Sequence, residues 1–288
     1  MKRKIITIIS AASVLTGILF YIIFNSDSDE YQVVFFDVGQ GDSILIDGPE
    51  NFQILIDGGP DNTVIQKLGQ YLPFYDRTIE LVILTHPDAD HVTGLVEVLE
   101  RYRVKTIMDT EVLATNDAYA RLRELIRQKS IEEIIGQQGK ELRIPGGGDL
   151  KVLYPVENVS GREFKDINST SLVARFEVGQ HSFLFTGDLP KEGEGELIST
   201  RQSLKADVLK VGHHGSKYST SPAFVKAIDP AIAVIQVGEK NHFGHPDKSI
   251  LELLSDYGSQ VVRTDQAGDI LIDCGNLRVK TKKSIDSN

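Results

Sequence analysis

Apolar positions along the chain follow two periods. From Tyr31 to Asp57 the short apolar runs "YQVVFF", "ILID" and "FQILID" are separated by glycine-rich turns. They predict strands, and the two runs flanking "GPEN" predict a hairpin with a loop of about four residues. Asn62 to Leu72 switches to helical spacing, and "IELVIL" is a near-continuous apolar run, the pattern of a strand buried on both faces. An amphipathic helix ("HVTGLVEVLERY"), a strand ("VKTIMD") and a second helix ("NDAYARLRELIRQKS", capped by Asn116 or Asp117) complete this half.

Short alternating strands are expected across "GKELRIPGGGDLKVLYP". "SLVARFEVGQHSFLFTGD" then repeats the opening order of strand, glycine turn, strand and aspartate, as if the chain had two similar halves. "ADVLKVGHHGS", "AIAVIQVG" and "KSILELLSDYG" predict strand, strand and helix, and "QVVRTDQAGDILIDC" a closing pair of strands about a glycine turn. Strands alternating with helices imply an α/β protein of mixed sheets covered by helices. With no second linker, residues 31–288 read as one domain.

Residues 1–30 differ from this body. Ile5 to Phe24 carry no charge over twenty residues, enough for a helix of about 30 Å, the thickness of a bilayer core. Lys2, Arg3 and Lys4 precede the run and "NSDSDE" follows it, so the expected topology puts the body outside the cytoplasm. A single-pass membrane anchor is preferred over the alternative, a cleaved signal peptide, because the apolar run is long and lacks a small-x-small site.

Composition then narrows the classes. With 41% hydrophobic and 25% charged residues the chain is globular, and its net charge of −10 argues against broad adhesion to nucleic acid without excluding a local groove. Its one cysteine, Cys274, permits no internal disulfide.

The chemistry concentrates in "THPDADH". His86, Asp88, Asp90 and His91 fall within six positions at the end of a predicted strand, where α/β proteins hold ligands. Imidazoles mixed with carboxylates suit Zn, Mn or Fe. Asp57, Asp188, His213, His214 and His245 also follow apolar runs. Two adjacent histidines on an extended chain point opposite ways, so at most one of His213 and His214 need face the site.

"THPDADH", "LFTGDL", "LKVGHHGSKYSTS" and "NHFGHP", in that order and with "FFDVGQGDSILI" and "ILIDGG" ahead of them, resemble the metallo-β-lactamase superfamily, in particular the hydrolase domain of ComEC-type competence proteins. The resemblance covers about residues 31–275. It implies a four-layer αββα sandwich with two divalent ions, Zn or Mn, at one edge. By the family pattern His86 and Asp88 serve one ion, Asp90, His91 and His245 the other, and Asp188 bridges them, with Asp57 supporting the ligands. The chain departs from the commonest pattern in two places. Asp88 stands where many members have histidine, and the histidine before the bridging aspartate is replaced within "DINSTSLV" by Asn168, Ser169 or Ser171. More oxygen donors shift the preference from Zn towards Mn or Mg.

The resemblance also implies hydrolysis of a phosphodiester by a hydroxide activated between the ions, with DNA or nucleotides as substrate and DNA-uptake machinery as partner. Asp90 or Asp188 would take a proton, and His213 or His214 would donate one or grip an oxygen. Lys210, Ser216 and Lys217 are candidate phosphate contacts, as are Asn241 and His242, with a solvated loop as the competing explanation. Two further functions stay open: hydrolysis of a lactam, lactone or thioester in the same site, and a non-catalytic scaffold that docks DNA or a partner.

Overall fold

The computed structural model describes residues 30–283. The apolar run Ile5 to Phe24 lies outside them; among the described residues no helix is long and apolar enough to cross a membrane.

Two sheets face each other. The first contains β1 (Gln32–Phe35), β2 (Ile44–Gly48), β3 (Phe52–Ile56), β4 (Thr78–Ile83), β5 (Arg103–Asp109) and β6 (Glu132–Ile135), extended by β14 (Ile270–Asp273) and β15 (Val279–Thr281). Its strand order is β15-β14-β1-β2-β3-β4-β5-β6, and it is parallel from β3 to β6. The second contains β7 (Glu141–Ile144), β8 (Gly148–Tyr154), β9 (Val173–Val178), β10 (His181–Phe185), β11 (Val208–Lys210), β12 (Ile232–Ile235) and β13 (Gln260–Arg263), parallel from β10 to β13.

Period-two alternation sorts the side chains. Val33 and Phe35 of β1 join Phe183 and Phe185 of β10 in the layer between the sheets. Their neighbours Val34 and Phe36 turn outward onto α1 (Thr63–Tyr71), α2 (Ala89–Arg101) and α3 (Asp117–Lys129). Leu184, Leu209 and Ala233 turn outward onto α4 (Lys191–Ser199), α5 (Pro222–Ile228) and α6 (Lys248–Asp256). Helices thus cover both outer faces.

Several expectations change. The strands expected as a closing pair belong to different sheets: β13 ends the second, and α7 (Thr264–Ala267) carries the chain across to β14, which pairs with β1. Thr264 anchors the crossing, its buried hydroxyl bonding both the N–H and the C=O of Val237. The halves are therefore not contiguous in sequence. Helix α2 begins at Ala89 rather than His91, because Asp88 is extended (φ −74°, ψ 151°) and helical geometry starts after it. Besides α7, two helices had no expectation. Gly193 and Gly195 weaken the pattern of α4, whereas α5 carries a readable start, Ser221 accepting from the Phe224 N–H with Pro222 at the first position.

Close backbone contacts fix the site edge. A Cβ on Gly94 in α2 would stand 1.9 Å from the Gly58 carbonyl, so glycine lets this helix touch the loop after β3. Gly41, at φ +147°, lies against the Asp90 carbonyl, where a Cβ would be 2.3 Å away.

A buried carboxyl away from that edge gives a stability prediction. Asp109, at the end of β5, accepts from the Tyr119 hydroxyl (3.0 Å) and lies 3.5 Å from Arg123. Burial outweighs both and raises its pKa to about 6. The fold therefore holds this proton more tightly than the unfolded chain; the associated stability is full below about 4 and lost as pH rises through about 6. The span from 3.8 to about 6 corresponds to roughly 3 kcal/mol. Asp109→Asn should remove this loss: urea unfolding should find it more stable than wild type at pH 7.5, with the advantage gone near pH 4. Arg123 also pairs with Glu133 at 2.7 Å, a carboxylate the substitution leaves in place.

Candidate metal centre

Carboxyl ends of strands from both sheets converge at one edge. Asp57 follows β3, His86 follows β4, Asp188 follows β10, and His213 and His214 follow β11; Asp90 and His91 sit in the first turn of α2. Three donor atoms there, His86 Nε2, His91 Nε2 and Asp188 Oδ1, are buried without a hydrogen-bond partner. Buried polar groups are normally paired, so such a cluster calls for a ligand. His86, His91 and Asp188 offer atoms all within 4.8 Å of one another, as do Asp90, His91 and His214, and also Asp42, Asp188 and His214. Mixed nitrogen and oxygen donors converging in this way fit a divalent ion.

Asp57 organises this centre. Its backbone is left-handed (φ 57°), which turns the carboxylate back across the end of β4. Oδ1 accepts the Thr85 N–H (2.8 Å), and Oδ2 accepts the Thr85 hydroxyl (2.7 Å) and bonds His91 Nδ1 (2.8 Å). Committing Nδ1 to Asp57 directs His91 Nε2 towards Asp188 Oδ2, 3.5 Å away. Asp57→Asn should accordingly weaken Zn or Mn affinity by roughly 10–100-fold. Competition against a chromogenic chelator measures this, and unchanged affinity would remove Asp57 from its supporting role.

Carboxylates and cations are interleaved at the centre, and each shifts the others. Against the effect of burial, His214, His91 and Lys210 hold the Asp188 carboxyl well below the usual carboxylate range. Burial likewise opposes protonation of His91, but Asp188 and Asp57 push its pKa well up. His214 is raised to about 10, again against burial, by Asp188, Asp42 and Asp90. Its Nε2 lies 3.2 Å from Asp90 Oδ2 and 3.5 Å from Asp188 Oδ2, while Nδ1 meets the Gln236 carbonyl at 3.0 Å. A cation held among these carboxylates would favour the neutral imidazoles that ligate metal.

Several sequence-predicted residues stand elsewhere than expected. His213 and His214 are not on an extended strand. Both adopt left-handed backbone angles in a tight turn (φ 49° and 53°), and both rings face Asp188, His213 Nε2 at 3.8 Å. His245 belongs to none of the three-residue donor groups; its ring packs edge-on to His213, with centroids 5.7 Å apart. His214 takes the place beside Asp90 and His91 that the family pattern gave to His245. Asp88 is partly exposed, its Oδ2 3.6 Å from His86 Nε2.

The phosphate contacts also change. Lys210 is 1% exposed and pairs with Asp42 while donating to the Gly187 carbonyl (3.2 Å), so its charge serves the interior. Ser216 is buried in the histidine turn, whereas Lys217 is exposed. Asn241 spends its side chain on its own loop, donating to the Gly238 and His245 carbonyls and accepting from the Phe243 and His245 N–H groups. His242 is exposed. In the segment replacing the family histidine, Ser171 Oγ accepts the Asp188 N–H (3.1 Å), Ser169 turns to the Asp166 carbonyl, and Asn168 Oδ1 is buried without a partner.

Asp42 is the residue that sequence reasoning missed. Burial would raise its pKa, but Lys210, His214 and His91 hold it down. The signal was present: an aspartate closing a glycine turn after the first strand, and a lysine embedded in the apolar run "VLKV" that needed a buried partner.

The profile of the metallo-beta-lactamase superfamily matches residues 36–239. ComE operon protein 3 of Bacillus subtilis (strain 168) is 32% identical over 93% of this chain and 36% of its own length. Competence protein ComA of Neisseria gonorrhoeae is 29% identical over 88% of this chain and 34% of its own length. The chain thus spans about a third of the length of these curated relatives. Among solved structures, the metallo-beta-lactamase fold protein YhfI of Bacillus subtilis is similar with a TM-score of 0.58 at 15% identity, covering 85% of this chain and 99% of that one. Igni18, a metallo hydrolase from the archaeon Ignicoccus hospitalis KIN4/I, gives 0.55 at 15% identity, covering 84% and 98%. Those two likenesses are of fold; with the profile match over most of the described residues and the donor cluster at the sheet edge, the chain belongs to the metallo-beta-lactamase superfamily.

Proposed function

We propose that the chain is a metal-dependent phosphodiesterase that cuts DNA or nucleotides outside the cytoplasm, held at the membrane by its N-terminal run and working beside DNA-uptake machinery. The observation that carries the hydrolase reading is the set of buried, unpartnered donor atoms on His86, His91 and Asp188. In this reading those three residues hold one divalent ion, Zn or Mn. Asp90 and His214, with His91 beside them, would hold a second, and Asp88 lies next to His86 on the open side. Bound there, such ions supply Lewis acidity, acidifying water and offsetting charge on phosphoryl oxygens.

The chain's own residues do the rest. Asp57 orients His91, and Lys210 with Asp42 keeps the carboxylates balanced. Asp90, about one-third exposed, is held ionised by His214 and His91 against burial, so it accepts a hydrogen bond that orients the attacking water, whose proton passes to solvent. Burial lowers the pKa of His213, and His214 lowers it further despite Asp188, so the ring is neutral at pH 7 and offers its N–H to a phosphoryl oxygen. The likeness to a protein named for competence, ComA of Neisseria gonorrhoeae, supports DNA as the substrate.

The test is hydrolysis of bis-p-nitrophenyl phosphate and of single-stranded DNA by the chain after metal stripping and refilling with Mn or Zn. Activity that returns with metal supports the proposal. Stoichiometric metal with neither substrate cut would leave a metal site and overturn the substrate.

A further inference from the structure

One large apolar side chain near the donor cluster is unused by the proposed chemistry. Phe243 is 71% exposed, yet its loop is tightly held. Asn241 bonds four backbone groups of that loop, and the Gly238 N–H donates to Gln40 Oε1 (3.2 Å) on the opposite sheet's turn. One face of the Phe243 ring stacks on His245, with centroids 5.7 Å apart and planes 22° apart. His245 packs on His213, whose Nε2 is 3.8 Å from Asp188. A short aromatic series therefore leads from the donor cluster to an exposed phenyl face. The neighbouring histidine turn, joined to the end of this loop by the Asp247 N–H donating to the Gly215 carbonyl (2.9 Å), adds exposed Tyr218 with Lys217 Nζ 5.4 Å from its ring centre.

We propose that Phe243 is a stacking platform for an unpaired nucleobase of the strand whose phosphate occupies the metal centre, which makes the substrate single-stranded nucleic acid. This rests on the phosphodiesterase reading. Exposing a phenyl ring on a rigid loop costs hydrophobic free energy without a folding return, and an exposed flat π-face is what single-strand binding sites use to stack a base. Bases in a duplex are stacked on each other and paired, so only an unpaired base can take this position. Lys217 supplies the backbone attraction that an acidic body otherwise lacks.

The sequence contains no tryptophan, so Phe243→Trp places a single fluorophore on the platform. The full chain carrying it is titrated with oligothymidylate, with an abasic oligomer of equal length and charge, and with duplex DNA, in Mn and in chelator. Quenching by oligothymidylate at concentrations about tenfold below the abasic oligomer is expected. In Phe243→Ala, followed by anisotropy of labelled oligomers, that preference should vanish while affinity for the abasic oligomer stays. Equal affinity of wild type for the two oligomers, preference surviving in Phe243→Ala, or tighter binding of duplex would each overturn the proposal. So would a blue shift of the tryptophan emission on anionic lipid vesicles with no response to oligothymidylate, which would make the ring a membrane contact. If no oligomer binds but bis-p-nitrophenyl phosphate is cleaved with metal, the platform fails and the phosphodiesterase reading stands. If the base preference is present and nothing is cleaved, the reverse holds.

Discussion

Asp188→Asn should lower metal-dependent phosphodiester hydrolysis by roughly 10³-fold, beyond the 10–100-fold typical of residues that only support ligands. The reason is the number of groups meeting on this carboxylate. His91, His213 and His214 all point a ring nitrogen at Oδ2, at 3.5, 3.8 and 3.5 Å, and Lys210 lies 3.8 Å from Oδ1. An amide keeps the shape but removes the negative charge that draws these groups together and that an ion would need. Metal content after purification should fall with activity, while circular dichroism stays that of a folded protein. A variant that keeps full metal and rate would remove Asp188 from the centre. One that loses rate but keeps metal would assign it to proton transfer instead.

Much of this arrangement was legible because strand-end residues are short-range features. "IELVIL" before "THPDADH" forces a buried parallel strand to end where the histidines begin, and the structure has β4 ending at Ile83 with His86 fully buried beyond it. The helix from Asn116 was equally readable, since the asparagine side chain accepts from the Ala118 and Tyr119 N–H groups. Local pattern could not say which sheet a strand joins. Val262 and Ile270 are eight residues apart with similar alternation, but one packs into β13 and the other into β14, because Thr264 is tied to Val237.

Pairings across the sheets were invisible for the same reason. Asp42 and Lys210 are 168 positions apart, and each alone reads as a turn residue or a surface cation. The histidine turn misled differently. An extended chain alternates its side chains, but left-handed angles at two successive non-glycine residues swing both rings to one side. Such strained backbone is rare enough that sequence pattern does not anticipate it, and it clusters at functional sites.

The Asp42–Lys210 pair carries the largest stability prediction. Both side chains are almost fully buried, at 2% and 1% exposure, and Lys210 also donates to the Gly187 carbonyl. Removing one partner of a buried ion pair typically costs about 3–5 kcal/mol, because the other is left charged in a poorly solvated site. Lys210→Met should therefore unfold at markedly lower urea concentration in chelator. Lys210 holds the Asp42 pKa below its ordinary value against burial, so the stability it brings is present above about 4 and is lost as pH falls through the lower folded value. The gap between wild type and Lys210→Met should consequently be widest near neutrality and narrow in acid. Adding Mn or Zn should close part of it, since an ion beside Asp188 replaces some of the missing positive charge. Asp42→Leu combined with Lys210→Met should be more stable than Lys210→Met alone, as both charges then leave together. A loss under about 1 kcal/mol, as exposed pairs give, or one independent of pH, would mean that water reaches this pair.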